Sequence, residues 1–401
     1  MRYFPLYEAK MFHQFDHRWA TFDGVEGDAE ETEADAVDLL EGEEEEEGGG
    51  DKVKTRDCTL AEKQDPSFLP TPRYWVSEAD VLLRAVPLSR EEKEELEELD
   101  PELIVELLRP RAPQWLIALR DITNTTNERT AIISALPLVG AGHNAPIIHL
   151  RSVAEDALCF VAMLDSLVCD WAIRQKVGGT HLSLNYLHQI AVLPLDWTPD
   201  LRRRGVALAL ELVYTSDHLR SLAEACGFDG PPFLYDEDRR ARVRAELDAL
   251  VARLYGLNRK QLRYILCPQG LSWAELENIN DGWEDPTCSG PHLLPAEPAL
   301  DFPGETFRVL KDKEEKKYGE YRTRRLVLEA WDRLWDELGP VEPLPIRFGP
   351  HAPGDENSVQ EARTPYGAVE QAPGRLFDVP ISTGLFAESA LPPDPTDETT
   401  P

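Results

Sequence analysis

The chain has 401 residues, 42% of them hydrophobic, nine Trp and a net charge of −32. That is enough for one or two sizeable cores, and the absence of any long apolar run excludes a transmembrane helix. The charge as a whole opposes phosphate binding, but it is unevenly spread: residues 26–51 contribute −14 and residues 340–401 contribute −7, leaving −11, much of it at 89–108.

Residues 1–25 are dense in aromatics (Phe4, Tyr7, Phe12, Phe15, Trp19, Phe22). That density predicts a segment that packs against something, and a partner domain is the expected surface. Met1–Lys10 lacks the apolar core of a signal peptide. Residues 26–56 hold an acidic low-complexity insert whose composition predicts disorder. Pro72–Val76 reads as a strand entry. Ser89 and Glu92 form a capping box that opens a helix reaching to about 108. Trp115–Thr123, Ala131–Val139 and Ile147–Leu150 read as strands, with turn chemistry at Asn124–Asn127.

Val153–Lys176 carries apolar residues at helical spacing and ends at Gly178-Gly179. A short helix at Leu184–Ile190 and a strand at Val192–Leu195 follow. From 199 the pattern is helical, at 202–225, 237–255, a short piece after Gly256, and Arg322–Leu338. Residues 340–401 are rich in Pro and Gly without periodicity and read as a flexible tail. The six cysteines are scattered with no Cys-x-x-Cys pair, so no structural zinc is expected. Cys159 and Cys169 fall in an apolar run and read as reduced core thiols of a cytoplasmic protein.

Five blocks in order carry a resemblance. They are Tyr7–Thr21, Pro72–Val76, Arg120–Pro137 and Lys176–Leu195, then a C-terminal pair, Ala245–Leu257 with Pro303–Trp331. Together they resemble the C-terminal target-recognition halves of large adenine-specific DNA methyltransferases of restriction–modification and phage-defence systems. The Lys176–Leu195 block is also similar to type I restriction specificity subunits. The resemblance implies an α+β fold in which a mixed target recognition domain (57–198) precedes a mainly helical C-terminal region (199–339). Residues 1–25 would then pack on a separate catalytic domain, between them and the recognition domain lies the 26–56 insert, and 340–401 form the disordered tail. It also implies double-stranded DNA and a methyltransferase catalytic domain or chain as partners, with no membrane partner. S-adenosylmethionine would sit in that catalytic partner and no cofactor in this chain.

No catalytic residue can be placed. Methyl transfer to adenine needs a glycine-rich cofactor loop and an (Asn/Asp)-Pro-Pro-(Tyr/Phe) motif whose acceptors and ring hold the flipped base. The nearest match, Gly230-Pro-Pro-Phe233, has glycine where the acceptor must be and reads as a loop. Glu8-Ala-Lys10 mimics the end of a nuclease site but lacks room before it for the metal-binding Asp. His13 and His17 are spaced i, i+4, which would allow a shared metal on a helix, although packing is the preferred role.

For DNA, Arg120, Asn124, Thr125, Asn127, Arg129 and Thr130 supply the donors that read base edges, or else form a polar hairpin tip. Lys176, Gly178, Gly179, Thr180, His181 and Asn185 would meet the backbone at a helix entry, or else form a helix cap and structural loop. Arg322, Arg324 and Arg325 either contact phosphate or pair with acids. The rival reading is an acidic, non-enzymatic interaction protein or relic that binds a methyltransferase or nuclease.

Overall fold

A computed structural model describes residues 2–24, 54–150, 152–266 and 306–339, with Val341, Leu344 and Ile381–Ser382. Most of the expected insert and tail lies outside the described residues.

In chain order the elements are β1 Tyr3–Tyr7, β2 Ala20–Thr21, β3 Arg56–Asp57, α1 Leu60–Gln64, β4 Trp75–Ser77, α2 Glu78–Ala85, α3 Arg90–Glu97 and α4 Pro101–Leu108. Then come β5 Trp115–Leu119, β6 Ile133–Pro137, β7 Gly140–Ala141, β8 Ile147–Ile148, α5 Ala154–Leu164, α6 Leu167–Arg174 and α7 Leu184–Leu187. The chain continues with α8 Pro199–Val213, α9 Arg220–Ala225, α10 Glu237–Leu254, α11 Arg259–Leu266, α12 Arg308–Tyr318, α13 Arg322–Leu338 and β9 Ile381–Ser382. The fold is α+β.

The central sheet runs β6-β5-β8-β9, all antiparallel. Its register sorts side chains strictly by parity. Ile117, Leu119, Ile133, Ala135 and Ile148 point to one side, into the core shared with the helices. Leu116, Ala118, Ile132, Leu136 and Ile147 point to the other, against Phe4, Tyr7, Met11, Phe12 and Val81. Burial of both faces explains why these strands read as unbroken apolar runs rather than alternating ones.

The helical side forms one continuous core from Phe15 to Val341. Residues of both expected halves meet in it, so the boundary expected at 198/199 does not divide the core. In α8, a Cβ on Gly205 would stand 2.6 Å from Cζ3 of Trp197, so only glycine lets that indole lie on the helix. A satellite cluster packs α2 on α4 through Leu82, Ile104 and Leu108, while α3 buries none of its residues.

The strands expected at 72–76, 115–123, 131–139 and 147–150 are represented by β4, β5, β6 and β8, and Ser89 caps α3 with Glu92 reciprocating. Three long expected helices are broken, the second and third at polar groups the interior uses. Between 89 and 108, Asp100-Pro101 starts a new helix. Between 153 and 176, Ser166 caps α6 and Asp165 Oδ1 accepts the Ile133 N–H at 2.9 Å. Between 202 and 225, Thr215 and Ser216 leave the helix to bind Arg18 and His17. Val192–Leu195 is largely buried but is not a strand of the three sheets.

The segment expected to face a separate catalytic domain is corrected. Phe4, Tyr7, Met11, Phe12 and Phe15 are buried in this chain's own two cores. His13 and Asp16 bridge a tight turn that puts Phe15 at φ +59, the one non-glycine residue with positive φ among those described. Arg18, fully buried, donates to the carbonyls of Lys63 (2.6 Å), Asp65 (2.7 Å) and Thr215 (2.8 Å). Asp16 pairs with Lys63 at 2.8 Å, and Arg240 and Arg244 donate to the carbonyls of Phe15 and Gln14. The aromatics were a true sign of packing, but the segment's partners lie up to 230 residues away in the same chain. His13 and His17 are not on a helix: His13 stacks on Trp19, and His17 Nε2 meets Ser216 Oγ at 2.9 Å. Burial and the neighbouring Arg18 lower the His17 imidazole to about 3, so it is neutral at physiological pH.

Candidate nucleic-acid interface

The loop between β5 and β6 begins and ends inside the protein. The Asn124 side chain accepts from Thr126 N–H at 2.9 Å and the Asn127 N–H donates to Asn124 O at 3.1 Å, a turn closed by its own asparagine. Thr130 Oγ1 donates to Asn124 O, and Thr123 Oγ1 donates to Thr130 O.

Helix α6 braces this loop from below through two residues spaced i, i+4. Asp170, fully buried, accepts the N–H groups of Thr130 and Ala131, each at 3.0 Å. Arg174 donates to the carbonyls of Thr125 (2.8 Å), Asn127 (3.0 Å) and Glu128 (2.8 Å), and to Asp170 at 3.2 Å. It also donates to Thr306 O at 2.8 Å, tying in the start of α12. Neither residue was singled out from the sequence. Their spacing on one helix face is the only signal they leave.

The second block returns to the same place. Thr123 N–H donates to Thr180 O at 2.8 Å, Ile122 and His181 form a β-bridge, and Leu182 N–H donates to Asp121 O at 2.6 Å. Two loops some fifty residues apart in the chain thus form one surface. Lys176, Gly178, Gly179 and Asn185 are exposed on it; Asn124, Thr125, Asn127, Thr180 and His181 are half-buried. A Cβ at Gly178 or Gly179 would meet nothing within 4 Å, so backbone there is open to an approaching group. Lys176 has no ion-pair partner among the described residues.

Three expected base readers are not on this surface. Arg120 is 3% exposed, and its guanidinium donates to the Phe12 carbonyl. Arg129 is 6% exposed, 3.8 Å from Asp170 and stacked near Phe307. Thr130 is fully buried. All three flank the loop tip, where the chain has already turned back into the core. The third cluster separates similarly. Arg322 pairs with Asp238 at 2.9 Å over the Tyr318 ring, and Arg325 is held between Glu320 and Glu329. Only Arg324 makes no ion pair among the described residues.

Below the loop a polar pocket closes around Gln14, Arg129, Asp165, Arg244 and Asp248, with a cavity of about 10 Å³, the size of one water. Burial pushes the Asp165 carboxyl well above the usual range and the Asp248 carboxyl up to about 6. Both bind a proton in the folded chain that the unfolded chain has released above about pH 4. Stability therefore falls as pH rises from about 4 to 6, and the Asp248 part is about 2–3 kcal/mol. Asp248→Asn keeps the Oδ1 acceptor for Leu167 N–H and is expected to flatten that slope, with a urea midpoint at pH 7 at or above the parent's. A lower midpoint at pH 7 with an unchanged one at pH 4 would mean that Asp248 works as a charged partner.

The Gly230–Phe233 near-match is a loop in which Phe233 stacks on Phe228 at 5.1 Å and lies edge-on to Tyr214. Its ring is engaged and not free for a flipped base. No family model, curated protein or solved structure matches this chain. No described helix is long and apolar enough to cross a membrane.

Proposed function

We propose that the chain is the DNA target-recognition unit of an adenine-specific methyltransferase system, with methyl transfer and S-adenosylmethionine supplied by a catalytic partner. One observation carries the reading: two polar loops distant in sequence are interlocked through Thr123 and Thr180, and the first of them is braced from behind by Arg174. A pre-organised loop pair loses little entropy on binding. Its outward side chains can divide between base edges and phosphates. Asn127 suits an adenine edge, while the Asn124 side chain closes the turn that presents it, and Lys176 with the open Gly178-Gly179 backbone suits phosphate.

Selection from a random duplex pool, followed by titration at several salt concentrations, tests this. Asn127→Ala is expected to weaken the preferred site by about 1–3 kcal/mol and relax discrimination there. Lys176→Ala should weaken all sequences alike and reduce the salt slope by about one unit. Equal, sequence-independent losses in both variants would remove base readout. No duplex binding at about 50 mM salt would favour the rival reading, an acidic interaction protein. One observation favours that rival: Arg322 and Arg325 are neutralised by their own acids.

A further inference from the structure

A cleft of about 390 Å³ opens between the β4-β1-β7 sheet, α2 and one face of the central sheet. It shares no residue with the loop pair at 124–127 and 176–185. Its volume falls within the range of small-molecule sites, about 300–1,000 Å³. The floor is apolar: Val81, Ala85, Leu116, Val139 and Ile147 are each at most 5% exposed. Leu6 and Val76 form a side wall against Gly140, where a Cβ would stand 2.5 Å from Val76 Cγ2 and 3.2 Å from Leu6 Cδ1. Only glycine lets this wall close. Water over such a floor finds few hydrogen-bond partners, so an apolar group that displaces it is favoured.

The charged and titratable residues of the same cleft lie on its open side. Asp80 and His143 are exposed and Arg84 is half-buried. Asp80 is already committed: Oδ2 accepts from Ser77 Oγ at 2.6 Å in the cap of α2, and Oδ1 stands 4.0 Å from Arg84. Arg84 Nη1 donates to the Asp80 carbonyl at 3.1 Å, and its other nitrogens have no hydrogen-bond partner among the described residues. The His143 ring has none there either. The rim therefore offers a ligand free donors. One of them is a planar guanidinium, which matches a carboxylate with two parallel bonds.

An apolar floor alone would suit any oily molecule, and a guanidinium alone any anion. Here both line one cleft, so the occupant carries an apolar body with an anionic end. The Asp80 carboxylate beside the guanidinium cancels part of its field, which penalises a doubly charged phosphate more than a singly charged carboxylate. The geometry points to a binding site for a small carboxylic acid with an apolar body, the body resting on Leu116, Val139 and Ile147 and the carboxylate meeting Arg84 and His143. This site stands or falls independently of the DNA reading.

Calorimetric titration of the full chain with octanoate and naphthoate, and with the neutral octanamide and naphthamide, tests the proposal. The two acids distinguish a linear from a planar body. At least one should bind at a single site with a Kd of about 0.01–1 mM, the range expected for a ligand of this size, and its amide should bind more weakly. Arg84→Gln should weaken the acid roughly 3- to 30-fold. Ala141→Leu, which adds bulk inside the cleft, should weaken acid and amide alike. Neither side chain is fully buried, so both urea midpoints should stay at the parent's. A parent that binds neither acid saturably would overturn the proposal. So would an amide that binds as tightly as its acid, or acid affinity equal to the parent's in Arg84→Gln. Acid affinity retained in Ala141→Leu would also overturn it, since only ion pairing on the open surface would then remain.

Discussion

A chain lacking residues 1–24 is expected not to fold. Phe4, Tyr7, Met11, Phe12 and Phe15 are all buried, and burial of each such side chain is worth about 1.5–3 kcal/mol. Their sum rivals the whole stability of a typical domain, about 5–15 kcal/mol. Removal would also leave Lys63 buried without Asp16, and the carbonyls of Lys63, Asp65 and Thr215 without Arg18. Expression of 25–401 should give insoluble protein, or a soluble product without a cooperative urea transition. A truncated chain that melts cooperatively near the parent's midpoint would refute the placement of this segment in the core. Phe12→Ala offers a graded version, at about 3–5 kcal/mol.

The second large effect is expected at Asp170. Its carboxylate accepts two backbone N–H groups at 3.0 Å and stands 3.2 Å from Arg174 and 3.8 Å from Arg129, all buried. Asp170→Ala leaves two buried guanidiniums facing each other without their shared anion. Breaking a buried charge network this way costs about 3–5 kcal/mol. Arg174 would then lose its anchor, and with it the grip on Thr125, Asn127 and Glu128. Urea unfolding reports the stability loss, and amide exchange at 124–130 reports loosening of the loop. Asp170→Asn keeps an acceptor for the N–H groups but removes the charge, so it should fall between the two. An Asp170→Ala chain within about 1 kcal/mol of the parent would be incompatible with the buried network.

The fold was legible where neighbours in sequence decide it. Strands β5 and β6, the Ser89 cap and α13 follow from local pattern and composition. The helix breaks at Asp165-Ser166 and Thr215-Ser216 were not, because apolar periodicity runs through both. What breaks them is a polar demand from a distant element: the Ile133 N–H in one case, Arg18 and His17 in the other. The candidate surface was half legible. Asn124–Asn127 and Lys176–His181 were picked out as two loops, and the structure brings them together. Arg120 and Arg129 were misplaced because an arginine reads the same whether it meets solvent or a buried carbonyl. Arg174 and Asp170, which hold the surface in shape, look like ordinary helix residues until the loop above them is seen. The aromatics of residues 3–22 were rightly read as packed, but the partner was sought outside the chain.

Threading the first segment through the core also sets an order of events in the cell. Gln14 and Phe15 are bound by Arg244 and Arg240, which follow them by 230 and 225 residues. At a translation speed of about 5–20 residues per second, those arginines are made about 10–50 seconds after their acceptors. During that interval Phe15 has left the ribosome while the helices that complete its core are still unmade. This nascent chain should therefore depend on holding chaperones more than its size suggests, and slowing its synthesis should lower the soluble yield rather than raise it.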